Sequence, residues 1–276
     1  MRIVVTGGTG FVGNYIVQEL LEQGNELIVT GTNESKARGF SWFNNVEFVE
    51  LKIGDNIRDD KFEQLLTGEK LIHLAWEGLP HYKELFHFEE ILLPQYFFLK
   101  RLIESGLNDI TITGTCLEYG MKNGCLEANM ITDPQNSYAI AKDSLRKFLG
   151  QLQSYKKFDL KWVRLFYMYG NGQSDHSLLK QLENAVHNQQ EVFNMSGGEQ
   201  LRDYLHVKEV ATKVIEISQM SHVSGIFNCC SGKPISIRTL VEKHKSSLGS
   251  DIKLNLGYYP YLDFEPFAFW GNTEKS

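Results

Sequence analysis

Tyr138 and Lys142 stand four residues apart in a stretch, Ser137 to Tyr155, whose apolar spacing reads as a helix, so both side chains fall on one helix face. A phenol titrates at about 10, which makes it a poor proton carrier near neutrality. A neighbouring ammonium favours the phenolate, and moving the titration by two or three pH units takes about 3 to 4 kcal/mol of electrostatic organisation. Alone, the pair would also suit an exposed aromatic beside a solvated lysine. A second group of residues changes that weighting. Gly7, Gly10 and Gly13 have the spacing G-x-x-G-x-x-G, directly between the apolar run Ile3 to Thr6 and the helical pattern that begins at Phe11 and Val12. In such a loop Gly7 takes up a tight turn, Gly10 lets backbone N–H groups approach a pyrophosphate, and Gly13 lets the helix pack closely on the sheet. The helix N-terminus adds partial positive charge for the same anion. The chemistry this combination offers is hydride exchange with a nicotinamide dinucleotide, with Tyr138 handling the proton.

The elements that must position these residues alternate. Short apolar runs at 3–6, 26–29, 46–51, 71–75, 109–114 and 160–167 read as strands, separated by helical patterns at 11–21, 61–66, 85–105 and 137–155. Pro94 either kinks the third of these helices or marks where its main body begins. The alternation predicts an α/β fold, a Rossmann doubly wound parallel sheet over residues 1–169. Beyond Tyr169 the rhythm changes to loop, helix (178–188), a small strand (191–194), another helix (206–220) and a short strand (225–229). Residues 170–276 are therefore expected to form mainly a smaller C-terminal α/β substrate-binding domain, with segments that can return to the first sheet.

With 42% hydrophobic residues in 276, the chain has enough apolar material for a sizeable core. A formal net charge of -6 without a positive tract argues against nucleic-acid binding. No uninterrupted apolar stretch is long enough for a membrane span, and the start lacks a secretory pattern, so a cytoplasmic location is expected. The cysteines at 116, 125, 229 and 230 lack the spacing of a zinc site, and no metal is expected.

Taken together, the motifs resemble those of the extended short-chain dehydrogenase/reductase family, the epimerase/dehydratase type that includes nucleotide-sugar epimerases, dehydratases and 4-keto reductases. The resemblance runs through Thr6-Gly7-Gly8-Thr9-Gly10-Phe11-Val12-Gly13, His73-Leu74-Ala75, Thr113-Gly114-Thr115, Pro134-Gln135-Asn136-Ser137-Tyr138 with Lys142, Arg164 to Gly170, and Leu201-Arg202-Asp203-Tyr204-Leu205-His206-Val207. It implies that Thr115 binds the substrate oxygen beside the acid/base Tyr138, with Lys142 as electrostatic partner and ribose ligand. It also implies that Arg202 meets the nucleotide diphosphate, unless it forms a structural pair with Asp203. Phe11, Val12, Thr30 and Ala75 would adjoin the cofactor. Helices 85–105 and 137–155 correspond to those through which similar proteins form homodimers, with Phe97, Phe98, Phe148, Leu149 and Leu152 as apolar candidates.

The second strand ends in Thr30-Gly31-Thr32, with no acid before Glu34 to accept the adenosine ribose of NAD. Lys36 and Arg38 could meet a 2′-phosphate, which tips the reading from NAD(H) towards NADP(H). Asp55 is a candidate for the adenine amino group or simply a turn carboxylate. Other positions depart from the resemblance. Tyr167 stands where the family carries a substrate-binding asparagine, no asparagine lies near Glu90 and Ile91, and Trp76 replaces a small residue. The resemblance implies an acidic pair just after the threonine in a dehydratase; Thr115 is followed by Cys116 and Leu117, with Glu118 a lone acid, which disfavours dehydration. An aromatic stretch through Tyr261, Phe264, Phe267, Phe269 and Trp270 is divided between covering the substrate and filling core. The leading expectation is NAD(P)H-dependent reduction of a 4-keto-6-deoxy sugar carried on dTDP or GDP. The alternatives are a nucleotide-sugar 4-epimerase that retains NAD and a non-catalytic dinucleotide-sensing protein.

Overall fold

A computed structural model of the chain describes residues 1–261 and 265–273. Its first half contains β1 (Arg2–Thr6), α1 (Phe11–Glu22), β2 (Glu26–Gly31), the short α2 (Glu34–Ala37), β3 (Glu47–Glu50), α3 (Asp59–Leu66) and β4 (Lys70–His73). α1 stops where glycine permits: Gly24 adopts φ +77°, and the Asn25 N–H turns back to the Leu20 carbonyl at 3.1 Å. The pattern over 85–105 is not one regular helix. A wide π-type turn, His87–Ile91, precedes α4 (Leu92–Glu104). Pro94 is the third residue of α4, directly after the π-type turn, so it marks the start of the main body.

The chain continues through β5 (Asp109–Thr115), β6 (Gly124–Leu126), α5 (Ser137–Leu152), β7 (Asp159–Leu165), β8 (Tyr167–Tyr169), α6 (Leu178–His187) and β9 (Val192–Asn194). It ends with β10 (Leu201–His206), α7 (Val207–Gln219), β11 (Gly225–Cys229), β12 (Pro234–Ser236), α8 (Ile237–Ser247), β13 (Lys253–Asn255) and β14 (Phe269–Gly271).

Seven strands form one parallel sheet in the order β11-β7-β5-β4-β1-β2-β3. Side chains alternate across it. Val4, Ile28, Leu71, Ile110 and Trp162 pack towards α3, α4 and α5, whereas Ile3, Val5, Val29 and Val163 pack with α1 and α7. Helices on both faces bury both sides of the strands, which explains their nearly unbroken apolar character. Strand β11, late in the sequence, extends the sheet by pairing in parallel with β7.

The expected strand over 160–167 is interrupted at Phe166. β7 ends at Leu165 in the large sheet, and β8 starts at Tyr167 in a separate sheet of order β12-β10-β8. Segment 201–206, for which the sequence pattern predicts no strand, is strand β10 at the centre of that sheet. The pairs β13-β9 and β14-β6 complete the smaller sheets. In the C-terminal aromatic stretch Phe269 is core, whereas Tyr261 and Phe267 are exposed and meet edge-on; Phe264 lies outside the described residues. Among the described residues, no helix is long and apolar enough to cross a membrane.

Candidate functional site

The glycine loop is held by its own backbone. Gly7 and Gly8 donate to the Thr30 carbonyl, each at 3.1 Å, so β2 fixes the turn that follows β1. Gly7 has φ +74°, and a Cβ there would meet the Ala75 nitrogen at 2.9 Å. A Cβ on Gly13 would stand 2.2 Å from the Gly7 carbonyl oxygen, which shows why the first turn of α1 can pack so close. That helix has no side-chain N-cap and no acid in its first turn, so its N–H groups at Phe11 and Val12 keep their affinity for an anion. The cradle fits a dinucleotide pyrophosphate.

This loop lines a cavity of about 800 Å³ together with Thr115, Tyr138, Lys142, Tyr167 and Arg202. Parallel strands explain the convergence: Gly7 follows β1, Thr115 ends β5 and Tyr167 follows β7, all at carboxyl ends of the large sheet. α5 brings Tyr138 and Lys142 in on one face. Its start is fixed by Asn136, whose side chain caps the Ala139 N–H at 2.9 Å, and by the Tyr138 N–H, which donates to the Tyr82 carbonyl at 3.0 Å.

Tyr138 is buried among aromatic rings, with centroids of His87, Tyr82 and Trp76 at 5.3, 5.6 and 6.0 Å. Lys142 is also buried. Its Nζ donates to the Thr113 carbonyl at 2.9 Å and lies 4.2 Å from the Trp76 ring centroid. Burial pulls the Lys142 ammonium down to about 7. It also pushes the Tyr138 phenol upward, reinforced by the negative forms of Tyr82, Glu118 and Cys116. The lowering of Tyr138 expected from Lys142 does not set the direction here; burial and the surrounding negative forms do. Trp76 packs on both groups, and its Nε1–H donates to His87 Nδ1 at 3.1 Å.

Thr115 heads a short turn, Cys116–Tyr119, with a reciprocal cap. Its hydroxyl accepts from the Leu117 N–H at 3.3 Å, and its own N–H donates to Glu118 Oε1 at 2.9 Å. Glu118 is fully buried and also takes the Arg164 guanidinium at 2.7 Å and the Trp162 indole at 3.0 Å. Burial raises the Glu118 carboxyl against the pull of Arg164. The spacing Thr-x-x-Glu was the readable signal of this contact.

Arg202 does not pair with Asp203. Its Nη2 meets Glu265 at 2.9 Å, and Nη1 donates to the Leu201 and Phe267 carbonyls at 2.9 and 3.1 Å. Asp203 instead accepts from the Ser231 and Gly232 N–H groups at 2.7 and 2.9 Å, fixing the loop after β11. The Tyr167 hydroxyl is buried and has no hydrogen-bond partner of normal geometry among the described residues, with the Arg202 guanidinium 5.8 Å from its ring centroid. Tyr204 lines the cavity as well, while His206 caps α7 by accepting from the Lys208 N–H.

Five expected cofactor residues do not line this cavity: Thr30 and Ala75 lie behind Gly7, and Lys36, Arg38 and Asp55 stand apart from it. Lys36 and Arg38 are exposed; Arg38 is paired with Glu34 and lies 5.0 Å from the Phe43 ring centroid. Asp55 is exposed on a separate concavity beside Pro94. Among the described residues no group of three or more His, Cys, Asp or Glu could hold a metal.

Comparison with known proteins gives relatives along the whole chain. A dTDP-6-deoxy-L-talose 4-dehydrogenase (NAD(+)) of Aggregatibacter actinomycetemcomitans is 32% identical over 275 residues, covering 98% of this chain and 99% of the relative. A UDP-glucose 4-epimerase of Halalkalibacterium halodurans is 25% identical over 301 residues, covering 100% and 88%. Among solved structures, a UDP-N-acetylglucosamine 4-epimerase from Methanobrevibacter ruminantium, in complex with UDP-N-acetylmuramic acid, superposes with a TM-score of 0.86 at 23% identity, covering 98% of this chain and 89% of that one. The model of the NAD dependent epimerase/dehydratase family matches residues 3–230, and the chain belongs to that family as an NAD-dependent enzyme.

Proposed function

We propose that this chain transfers hydride between NAD and C4 of a hexose carried on a nucleoside diphosphate. The observation that carries the reading is the shared cavity. Thr115, Tyr138 and Lys142 open onto the same space as the glycine loop, and Arg202, paired with Glu265, lines it as the cation nearest to hand for a diphosphate. Bound NAD supplies the hydride acceptor or donor. Tyr138 as phenolate takes the C4 hydroxyl proton on oxidation, and as phenol returns one on reduction; Lys142 is the neighbouring cation that favours the phenolate needed before oxidation. Thr115 donates a hydrogen bond to the C4 oxygen, with its backbone held by Glu118.

Two outcomes use this machinery. The UDP-glucose and UDP-N-acetylglucosamine 4-epimerases among the relatives support hydride return to the opposite face of the sugar, with NAD retained. This was the alternative in the sequence reading and now has the broader support. The 32%-identical dehydrogenase, matched over nearly its full length, supports net oxidation or reduction of a 6-deoxy sugar as the second reading. As cofactor we favour NAD(H) over NADP(H), because Arg38 is engaged by Glu34 and the dehydrogenase relative is named for NAD(+). The protein is further proposed to act as a homodimer. Leu93 and Phe97 on α4 and Ile140 and Phe148 on α5 leave apolar surface exposed, whereas Phe98, Leu149 and Leu152 are buried within the protomer.

Incubation with NAD and a panel of UDP- and dTDP-hexoses tests the reading. Accumulating NADH with a keto sugar indicates a dehydrogenase, and a C4-inverted sugar without net NADH indicates an epimerase. Unchanged sugars throughout the panel would refute both.

A further inference from the structure

The charges of the cavity are few. Among the described residues lining it, the permanent cation is Arg202, the other basic groups are the buried Lys142 and the exposed His176, and the one carboxylate is Glu265. Lys142 is committed to the Thr113 carbonyl and the face of Trp76. Arg202 is held in place by two backbone carbonyls and lies 4.7 Å from the Phe269 ring centroid, with its side chain only 6% exposed. Glu265, 23% exposed, completes its coordination. The field of Glu265 extends over the reacting end, where it adds to the burial that keeps Cys116, Tyr82 and Tyr167 neutral.

A nucleoside diphosphate brings its own negative charge to Arg202, a cation that already has an internal partner. A sugar bearing a further carboxylate would then find no cation to meet it, and would face Glu265 in a poorly hydrated space where like charges repel strongly. A neutral hexose meets the opposite situation, because its hydroxyls can donate to the carboxylate in charge-assisted hydrogen bonds. We propose that Glu265 is a specificity-determining residue that selects an uncharged hexose and rejects a hexuronate. The inference rests on the nucleotide-sugar reading above and deepens it.

Calorimetric titration of the NAD-loaded full chain with matched glucose and glucuronate pairs, carried on UDP and on dTDP, tests it. The parent protein binds the neutral sugar of at least one pair about tenfold or more tightly than its uronate partner, a difference of about 1.4 kcal/mol. Glu265→Gln brings the two affinities together by gaining on the uronate, while Glu265→Asp keeps the preference. Bare UDP or dTDP binds Glu265→Gln as well as the parent or better, since Arg202 loses an internal competitor. Equal affinities in the parent overturn the proposal, as does a uniform loss of all ligands in Glu265→Gln with the ratio unchanged. If Glu265→Gln does not fold, as judged by loss of NAD binding, the parent ratio and Glu265→Asp decide. Failure of the parent to bind any nucleotide sugar or bare nucleotide instead refutes the underlying nucleotide-sugar reading.

Discussion

Glu118 Oε1 accepts the backbone N–H of Thr115 at 2.9 Å while Oε2 holds Arg164 at 2.7 Å, so one buried carboxylate joins the candidate active-site threonine to a cation beneath it. The space for it comes from Gly114, where a Cβ would stand 2.4 Å from Glu118 Oε1. Glu118→Gln keeps the shape but leaves the Arg164 charge uncompensated in a dry site. Removing one partner of such a buried pair costs about 3 to 5 kcal/mol, and the expected loss is near the lower end because the amide can still accept a hydrogen bond. Equilibrium urea denaturation measures it. A loss no larger than that of an exposed pair would show that the interaction does not tie β5 to β7.

Gly13→Ala is expected to weaken NAD binding at least about tenfold, because its Cβ would fall 2.2 Å from the Gly7 carbonyl oxygen and 2.8 Å from the Gly8 Cα. Both neighbours are backbone, so the phosphate-facing loop itself must move. Calorimetric titration with NAD, on a variant shown by circular dichroism to be folded, reads the effect. Parent affinity would dissociate the loop from cofactor binding.

His73 gives the fold an acid-sensitive point. It is fully buried, Nδ1 lies 2.8 Å from the Thr6 hydroxyl, and Nε2 lies 2.9 Å from Gln95 Oε1. Burial, aided by the charge of Lys142, lowers its pKa from 6.5 to about 3. Between these values the unfolded chain binds a proton that the folded chain refuses, so stability falls as pH drops from about 6.5 towards 3. His73→Asn should flatten that part of a stability-against-pH profile, even if it lowers stability at neutral pH. An unchanged acid slope would contradict the assignment.

The large sheet was legible because its strands read as short apolar runs alternating with helical periods, and the glycine loop announces where the first crossover begins. Thr115, Tyr138, Lys142, Tyr167 and Arg202 were all brought to one cavity: Thr115 ends β5, Tyr167 follows β7, Arg202 lies in β10, and Tyr138 and Lys142 share the helix face that borders it. The smaller sheets were less legible. Strands such as β6, β12 and β14 have three residues each, too few for a period to emerge, and β14 pairs with a strand far away in sequence. Glu265 escaped as a site group for a related reason: its partner, Arg202, is distant along the chain. Glu118 could have been found, since its capping contact with Thr115 is local.

A dimer formed through α4 and α5 is expected to depend on Phe97, which is 59% exposed, and on Phe148, which packs on Tyr96 at its margin. Phe97→Glu places a charge on that apolar surface without entering the protomer core. Light scattering should then report a dimer for the parent and a monomer for the variant. A monomeric parent at working concentration would remove this proposal.

The hydrogen at C4 gives the most direct measurement of the central claim. Incubate the protein and NAD with whichever UDP- or dTDP-hexose it converts, deuterated at C4, and follow the label in single turnovers. Deuterium is expected to leave C4, appearing either on the reduced nicotinamide or back at C4 of the inverted sugar. Tyr138→Phe should slow that transfer by about 10² to 10⁴-fold while leaving NAD affinity nearly intact. Product that forms with deuterium never leaving C4, or transfer by Tyr138→Phe at the parent rate, would contradict C4 hydride chemistry assisted by Tyr138.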